Sequence, residues 1–220
     1  MRVISAAKGL TALAALVLTA SIAAAQTGGT ITVTGTTPEA FALTNTTDGA
    51  LASTIALGVL TPTSGVTIAD LTTGTPVDVR LRSNKAYKLT ATAGALAVTG
   101  AGATDGGEAI ALTDIGFGIL LITPPGANGA TGRSDTIVAG YDVSSGWPAP
   151  TNGLTPVFTK TLNDITSATQ VLSGTRVSAK GNIATNNNYL TVRFGVATLP
   201  QLFTPNTGFS SIVTLTLASQ

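Results

Sequence analysis

Between Pro76 and Ala93 the side chains change character at every step. Val77, Val79 and Leu81 fall on one side and Asp78, Arg80 and Arg82 on the other. After Ser83-Asn84-Lys85, the residues Tyr87, Leu89, Ala91 and Ala93 alternate with Lys88, Thr90 and Thr92. A period of two belongs to an extended strand with one buried and one wet face. The pattern predicts a hairpin turning at Ser83–Lys85. The basic residues on its polar side read as a solvated strand face. Leu190, Val192, Phe194 and Val196 repeat the alternation, and Phe209, Ser211, Val213, Leu215 and Leu217 share one face of a final long strand. Further strands are expected at Phe41–Thr44, Leu51–Leu60, Val66–Leu71 and Gln170–Leu172. No helical period persists after residue 26.

Short alternating segments separated by Gly, Pro and Asn turns predict an all-β, Ig-like Greek-key β-sandwich. Val79, Leu89, Val192 and Leu215 are its expected core. From about 100 to 156 the texture changes, with Gly106-Gly107, Pro124-Pro125-Gly126 and Pro148-Ala149-Pro150. This is read as a long loop-rich insertion carrying two strands, within Ile110–Ile122 and Thr136–Tyr141. Trp147, the one tryptophan, falls in its Gly-Trp-Pro loop. It either caps the core or serves as a ligand-stacking aromatic.

Residues 1–25 open with Arg2 and Lys8, continue as an apolar run from Leu10 and end Ala23-Ala24-Ala25. That layout predicts a signal peptide cleaved before Gln26. A single sandwich domain is then expected over 26–220, with no membrane span after cleavage, in a secreted bacterial protein: periplasmic, cell-surface or extracellular. Without Arg2 and Lys8, 9 of the 11 basic residues face 10 acidic ones, a net charge of −1. Such a balance offers nucleic acid no electrostatic footing. The 220 residues include neither cysteine nor histidine. Ser-His-Asp and Cys-His catalysis and the usual zinc sites are therefore excluded. Glu39 and Glu108 are the only glutamates, no Asp-x-Asp calcium loop occurs, and no phosphate-binding glycine signature precedes a helix. No catalytic, cofactor or metal residue is expected, and an enzyme is not. A membrane barrel is disfavoured, because aromatics make up only 5% of the chain and it ends in Gln220.

The expected mature terminus reads Gln-Thr-Gly-Gly-Thr-Ile-Thr-Val-Thr-Gly-Thr-Thr-Pro, with Ile31, Val33 and Gly35 on one face of a strand. Gly28-Gly29-Thr30-Ile31-x-Val33-x-Gly35 resembles the N-terminal extension of chaperone–usher pilins and spore-coat-protein-U-like secreted proteins. The ending Pro205–Leu217 is similar to that family's closing strand, and Gly181-Asn182 with Asn188-x-Leu190-x-Val192 to the turn and strand before it. The pilin disulfide and the penultimate tyrosine of fimbrial subunits are missing. The resemblance implies a structural, pilin-like or coat-like subunit assembling with copies of itself or related subunits by β-strand addition. Ile31, Val33 and Gly35 would form the donor strand, and Val213, Leu215 and Leu217 would line the acceptor groove. The alternative is a self-contained binding module, for example for carbohydrate, using the 100–156 loops and Trp147. A self-complete sandwich that binds no partner is the third.

Overall fold

The computed structural model describes residues 32–61, 71–100, 109–125, 133–148, 158–177, 189–199 and 203–220. The expected signal segment, Ile31, most of the strand expected at Val66–Leu71, Gly106-Gly107, Gly181-Asn182 and Asn186–Asn188 lie outside them. The chain divides into two units, Met1–Pro38 and Glu39–Gln220. Within the first, residues 32–38 carry no regular secondary structure and are exposed.

The second unit is built from strands β1 (Phe41–Thr44), β2 (Thr72–Thr73), β3 (Val77–Ser83), β4 (Tyr87–Ala93), β5 (Ala97–Thr99), β6 (Gly116–Thr123), β7 (Asp135–Ile137), β8 (Thr169–Gly174), β9 (Leu190–Thr198), β10 (Gly208–Ser210) and β11 (Val213–Ser219). All the pairings between them are antiparallel. One sheet runs β1-β3-β9-β6, with β2 prolonging the line of β3 along β9. The other runs β11-β4-β8-β7. The fold is an all-β sandwich. β1, β3, β9 and β6 stand in the A-B-E-D order of an immunoglobulin sandwich, and β4 and β11 take the places of C and F. The two apolar segments of the loop-rich stretch supply β6 and β7, so that stretch contributes a strand to each sheet.

Inward rows from both sheets make the core. Val79 and Leu81 of β3, Tyr87 and Leu89 of β4, and Leu190 and Val192 of β9 are at most 1% exposed. Phe117 of β6 stacks on Phe194 of β9, ring centroids 5.8 Å apart, and meets Tyr141 edge-on. Three of the four expected core residues, Val79, Leu89 and Val192, are buried, whereas Leu215 is half-buried. Leu215 sits on β11, which among the described residues has a strand, β4, on one side only.

Three local expectations need correction. β3 and β4 do not pair as a hairpin: β3 lies between β1 and β9, and β4 between β11 and β8. The link from Ser83 crosses from sheet to sheet. Ser83 is buried, its Oγ accepts from Lys85 N at 3.1 Å, and its carbonyl accepts from Val177 N at 2.9 Å. Period-two alternation reports which face is buried, not which strand is the neighbour. Secondly, Leu51–Leu60 forms no strand; Leu51, Ile55, Leu57 and Leu60 lie half-buried against the core from an irregular segment. Thirdly, the closing strand is broken. β10 pairs with β5 and β11 with β4, the register slipping by one residue around Ser211-Ile212, and Ile212 is 77% exposed. Three residues, Gly94 to Leu96, stand opposite the two residues Ser211-Ile212, a one-residue mismatch of the β-bulge kind that interrupts the ladder locally.

Candidate functional site

The edges of the sandwich are not alike. β6 has β9 on one side, and on the other its backbone is covered. Ile119 N donates to Tyr141 O at 2.7 Å, Val143 N to Ile119 O at 3.1 Å, and Phe117 N to Lys160 O at 3.1 Å. Among the described residues, β11 pairs only with β4, and β1 only with β3. These two edges approach each other on one side of the sandwich without hydrogen-bonding.

The inward residues of β11 are Val213, Leu215 and Leu217, directly opposite Ala93, Ala91 and Leu89 of β4. Residues opposite one another in an antiparallel pair share a face, so all six point into the sandwich. The β4 members are buried, while the β11 members stay half-buried. On β1, Phe41 and Leu43 face inward opposite Ser83 and Leu81 and are also half-buried. An apolar row therefore lines the side between β11 and β1, two edges that no further described strand covers. The structure brings the three expected groove residues, Val213, Leu215 and Leu217, onto one face. It adds Phe41 and Leu43, whose alternation with Ala42 and Thr44 was the available signal.

Of the expected donor residues, Val33 and Gly35 are described. Val33 is 91% exposed, and a Cβ added to Gly35 would meet no atom within 4 Å.

No family model, curated protein or solved structure matches this chain. What it can do must come from its own geometry. Among the described residues, no three acidic, histidine or cysteine side chains gather as metal ligands, and no helix is long and apolar enough to cross a membrane.

Trp147 is half-buried. Its indole meets Phe158 edge-on at 5.8 Å and covers Gly195 of β9, where an added Cβ would lie 3.4 Å from the ring and 2.6 Å from Leu120 Cδ1. It thus lies over the outer face of the first sheet.

Two polar clusters escaped the sequence reading. At β7, Arg133 and Asp135 form an ion pair with side chains only 5% and 13% exposed. The Tyr87 hydroxyl donates to Asp135 Oδ1 at 2.7 Å, and Arg133 Nη1 to Arg176 O at 3.2 Å. Burial, then the adjacent Asp135 carboxylate, push the Tyr87 phenol well above its ordinary value. The trio ties the short edge strand β7 to β4. Tyr87 is 48 residues from its partner Asp135 in the sequence.

The second cluster lies on the outer face of the first sheet. Asp48 Oδ1 accepts from Arg82 Nη2 at 2.7 Å and from Arg80 Nη1 at 3.3 Å. Both guanidiniums lie over the Tyr189 ring, at 4.1 Å for Arg80 and 5.6 Å for Arg82. Beside them Arg193 makes a two-pronged pair with Asp78 at 2.7 and 2.9 Å, and its hydrogen bond holds the Asp78 carboxyl below its usual value against partial burial. The expected solvated face is thus a network of paired charges. The shared parity of Tyr189, Thr191 and Arg193 was the signal for the outward aromatic.

Proposed function

We propose that this chain is a non-enzymatic, secreted structural subunit, pilin-like or coat-like. Its open edge at β11 takes an extended segment donated by another subunit, the stretch around Ile31, Val33 and Gly35. One observation carries the reading: Val213, Leu215 and Leu217 stay half-buried on the inward face of an edge strand, while their direct partners on β4 are buried. An unpaired edge beside an apolar row is a template for another chain. Added strands use it through backbone hydrogen bonds, with alternate side chains filling the row.

The strand order supports the same conclusion. In the seven-strand immunoglobulin arrangement, a strand lies on the far side of F from C. β11 holds the F place, and within Glu39–Gln220 no described strand pairs with its far side. Val33 and Gly35 occupy alternating positions that suit such a place: Val33 is an apolar side chain left in water, and Gly35 is a position open to close backbone approach. Ile31 precedes them at the same spacing.

The test is deletion of residues 26–36 from the mature chain. A donor segment leaves a truncated subunit that does not assemble, and a free peptide of that sequence occupies its edge and stabilises it. A strand internal to its own fold instead leaves a truncated monomer that is grossly unstable. A full-length chain that stays monomeric at high concentration, with Ile31 and Val33 packed in its own core, refutes donation.

A further inference from the structure

The outer face of the first sheet is built for more than solubility. Arg80 and Arg82 converge on one carboxylate oxygen of Asp48 and on one ring, Tyr189. Two cations against one anion leave the cluster with an excess positive charge. Each guanidinium has five N–H donors. Among the described residues each spends one, both on Asp48 Oδ1, and the buried Arg82 Nε has no partner. Both arginine side chains are still about a fifth exposed, and Asp48 is nearly half exposed. Stacking on an aromatic ring holds a guanidinium plane in place, which suits it to a planar carboxylate. Asp48 itself is presented from a turn in which it adopts a positive φ of 63°.

The surroundings narrow the ligand. β3 and β9 are both paired on each side, so this face has no free backbone to offer. A peptide adding as a strand has nothing to pair with here, and recognition falls to side chains. Along the outward row of β9, Tyr189 is followed by Thr191, Arg193 and Gly195, the last covered by the Trp147 indole. Six residues of strand put the two aromatics roughly 20 Å apart. Aromatic rings at the two ends and charged and hydroxyl groups between them form a strip that suits an extended chain of sugars.

We propose that this strip binds an acidic saccharide, with a uronate carboxylate taken by Arg80 and Arg82 in place of, or beside, Asp48. The site is independent of strand addition at β11. Titration of the mature chain with a galacturonate trimer, followed by calorimetry at low salt, tests it. The methyl-esterified trimer, a glutamate tripeptide and inorganic phosphate serve as companions. The acidic trimer binds, its affinity falls as salt rises, and the esterified trimer binds at least tenfold more weakly. Arg80→Gln and Arg82→Gln each weaken binding about tenfold or more. Asp48→Asn removes the competing carboxylate and tightens binding several-fold. That gain separates a ligand site from a cluster that merely anchors the Asn45–Gly49 turn, and it does not depend on the arginine variants folding. Absence of binding to both the native chain and Asp48→Asn at millimolar trimer overturns the proposal. So does binding that both arginine variants leave unchanged. Equal binding of the tripeptide or of phosphate overturns the assignment to saccharide.

Discussion

Leu89 and Leu217 face each other across the β4–β11 pair but do different work. Leu89 is fully buried, and Leu217 is half-buried at the open edge. Leu89→Ala leaves a cavity closed on all sides and should cost the monomer about 2–5 kcal/mol. Leu217→Ala removes a side chain that is only partly out of water and leaves no sealed cavity. Taking about half of the 1.5–3 kcal/mol that full burial of a leucine contributes, the monomer should lose about 1 kcal/mol. The other half becomes available only when a donated strand covers the row. Assembly should therefore weaken by a further 1 kcal/mol or so, near fivefold in association. Urea unfolding of dilute monomer measures the first quantity through the midpoint at constant slope. Sedimentation across a concentration series measures the second. Equal losses of monomer stability in the two variants would show that Leu217 is ordinary core and the edge is closed. A Leu217→Ala chain that assembles like the native one would show that nothing covers the row.

At the β7 cluster, a Cβ on Gly174 would lie 2.3 Å from Asp135 Oδ1 and 2.8 Å from the Tyr87 hydroxyl oxygen. Gly174→Ala should therefore destabilise by about 1–3 kcal/mol in thermal unfolding; an unchanged midpoint would show that the cluster is loose. The Tyr87 phenol is raised by burial and by Asp135, so above about pH 10 the unfolded chain loses this proton while the folded chain keeps it. Its contribution is intact below pH 10 and declines as pH rises beyond it. Tyr87→Phe should cost about 1.5–3 kcal/mol at neutral pH and flatten the alkaline slope, as read from unfolding midpoints against pH; an identical alkaline slope would place the titration elsewhere. N-terminal analysis of exported protein should begin at Gln26, and a mature chain retaining residues 1–25 would contradict the signal reading.

The sequence disclosed faces far better than neighbours. Alternation placed Val79, Leu89 and Val192 inward and Asp78, Arg80 and Arg82 outward, because side-chain direction in a strand is a local property. It could not say that β3 and β4 part company at Ser83. That depends on which distant strands are available, and β9 lies more than a hundred residues downstream. The half-burial of Leu215 and Leu217 was hidden for the same reason: an edge position is a fact about the sheet, not about the residue. Leu51–Leu60 misled because an apolar run without strict alternation can cover a core as readily as enter a sheet. The candidate groove was legible in its β11 half, where the pattern is long. It was missed in its β1 half, where four residues are too few to declare an edge. The Arg133–Asp135–Tyr87 trio and the Arg80–Arg82–Tyr189 cluster join residues distant in sequence; parity turns Tyr189 outward, but no local spacing names the partners of either cluster.

Amide hydrogen exchange along Val213–Ser219 tests the open edge most directly. In an antiparallel edge strand, alternate residues direct their N–H and C=O groups away from the neighbouring strand. Without a donor, those alternate amides of β11 should exchange fast, while the amides bonded to β4 stay protected. Adding a peptide of residues 26–38 to a chain lacking residues 26–36 should slow the outward amides and leave β4 unchanged. Assembled full-length chains should show the same protection. Outward amides that are already protected in the truncated monomer, or that the peptide leaves fast at saturating concentration, would contradict strand addition at β11.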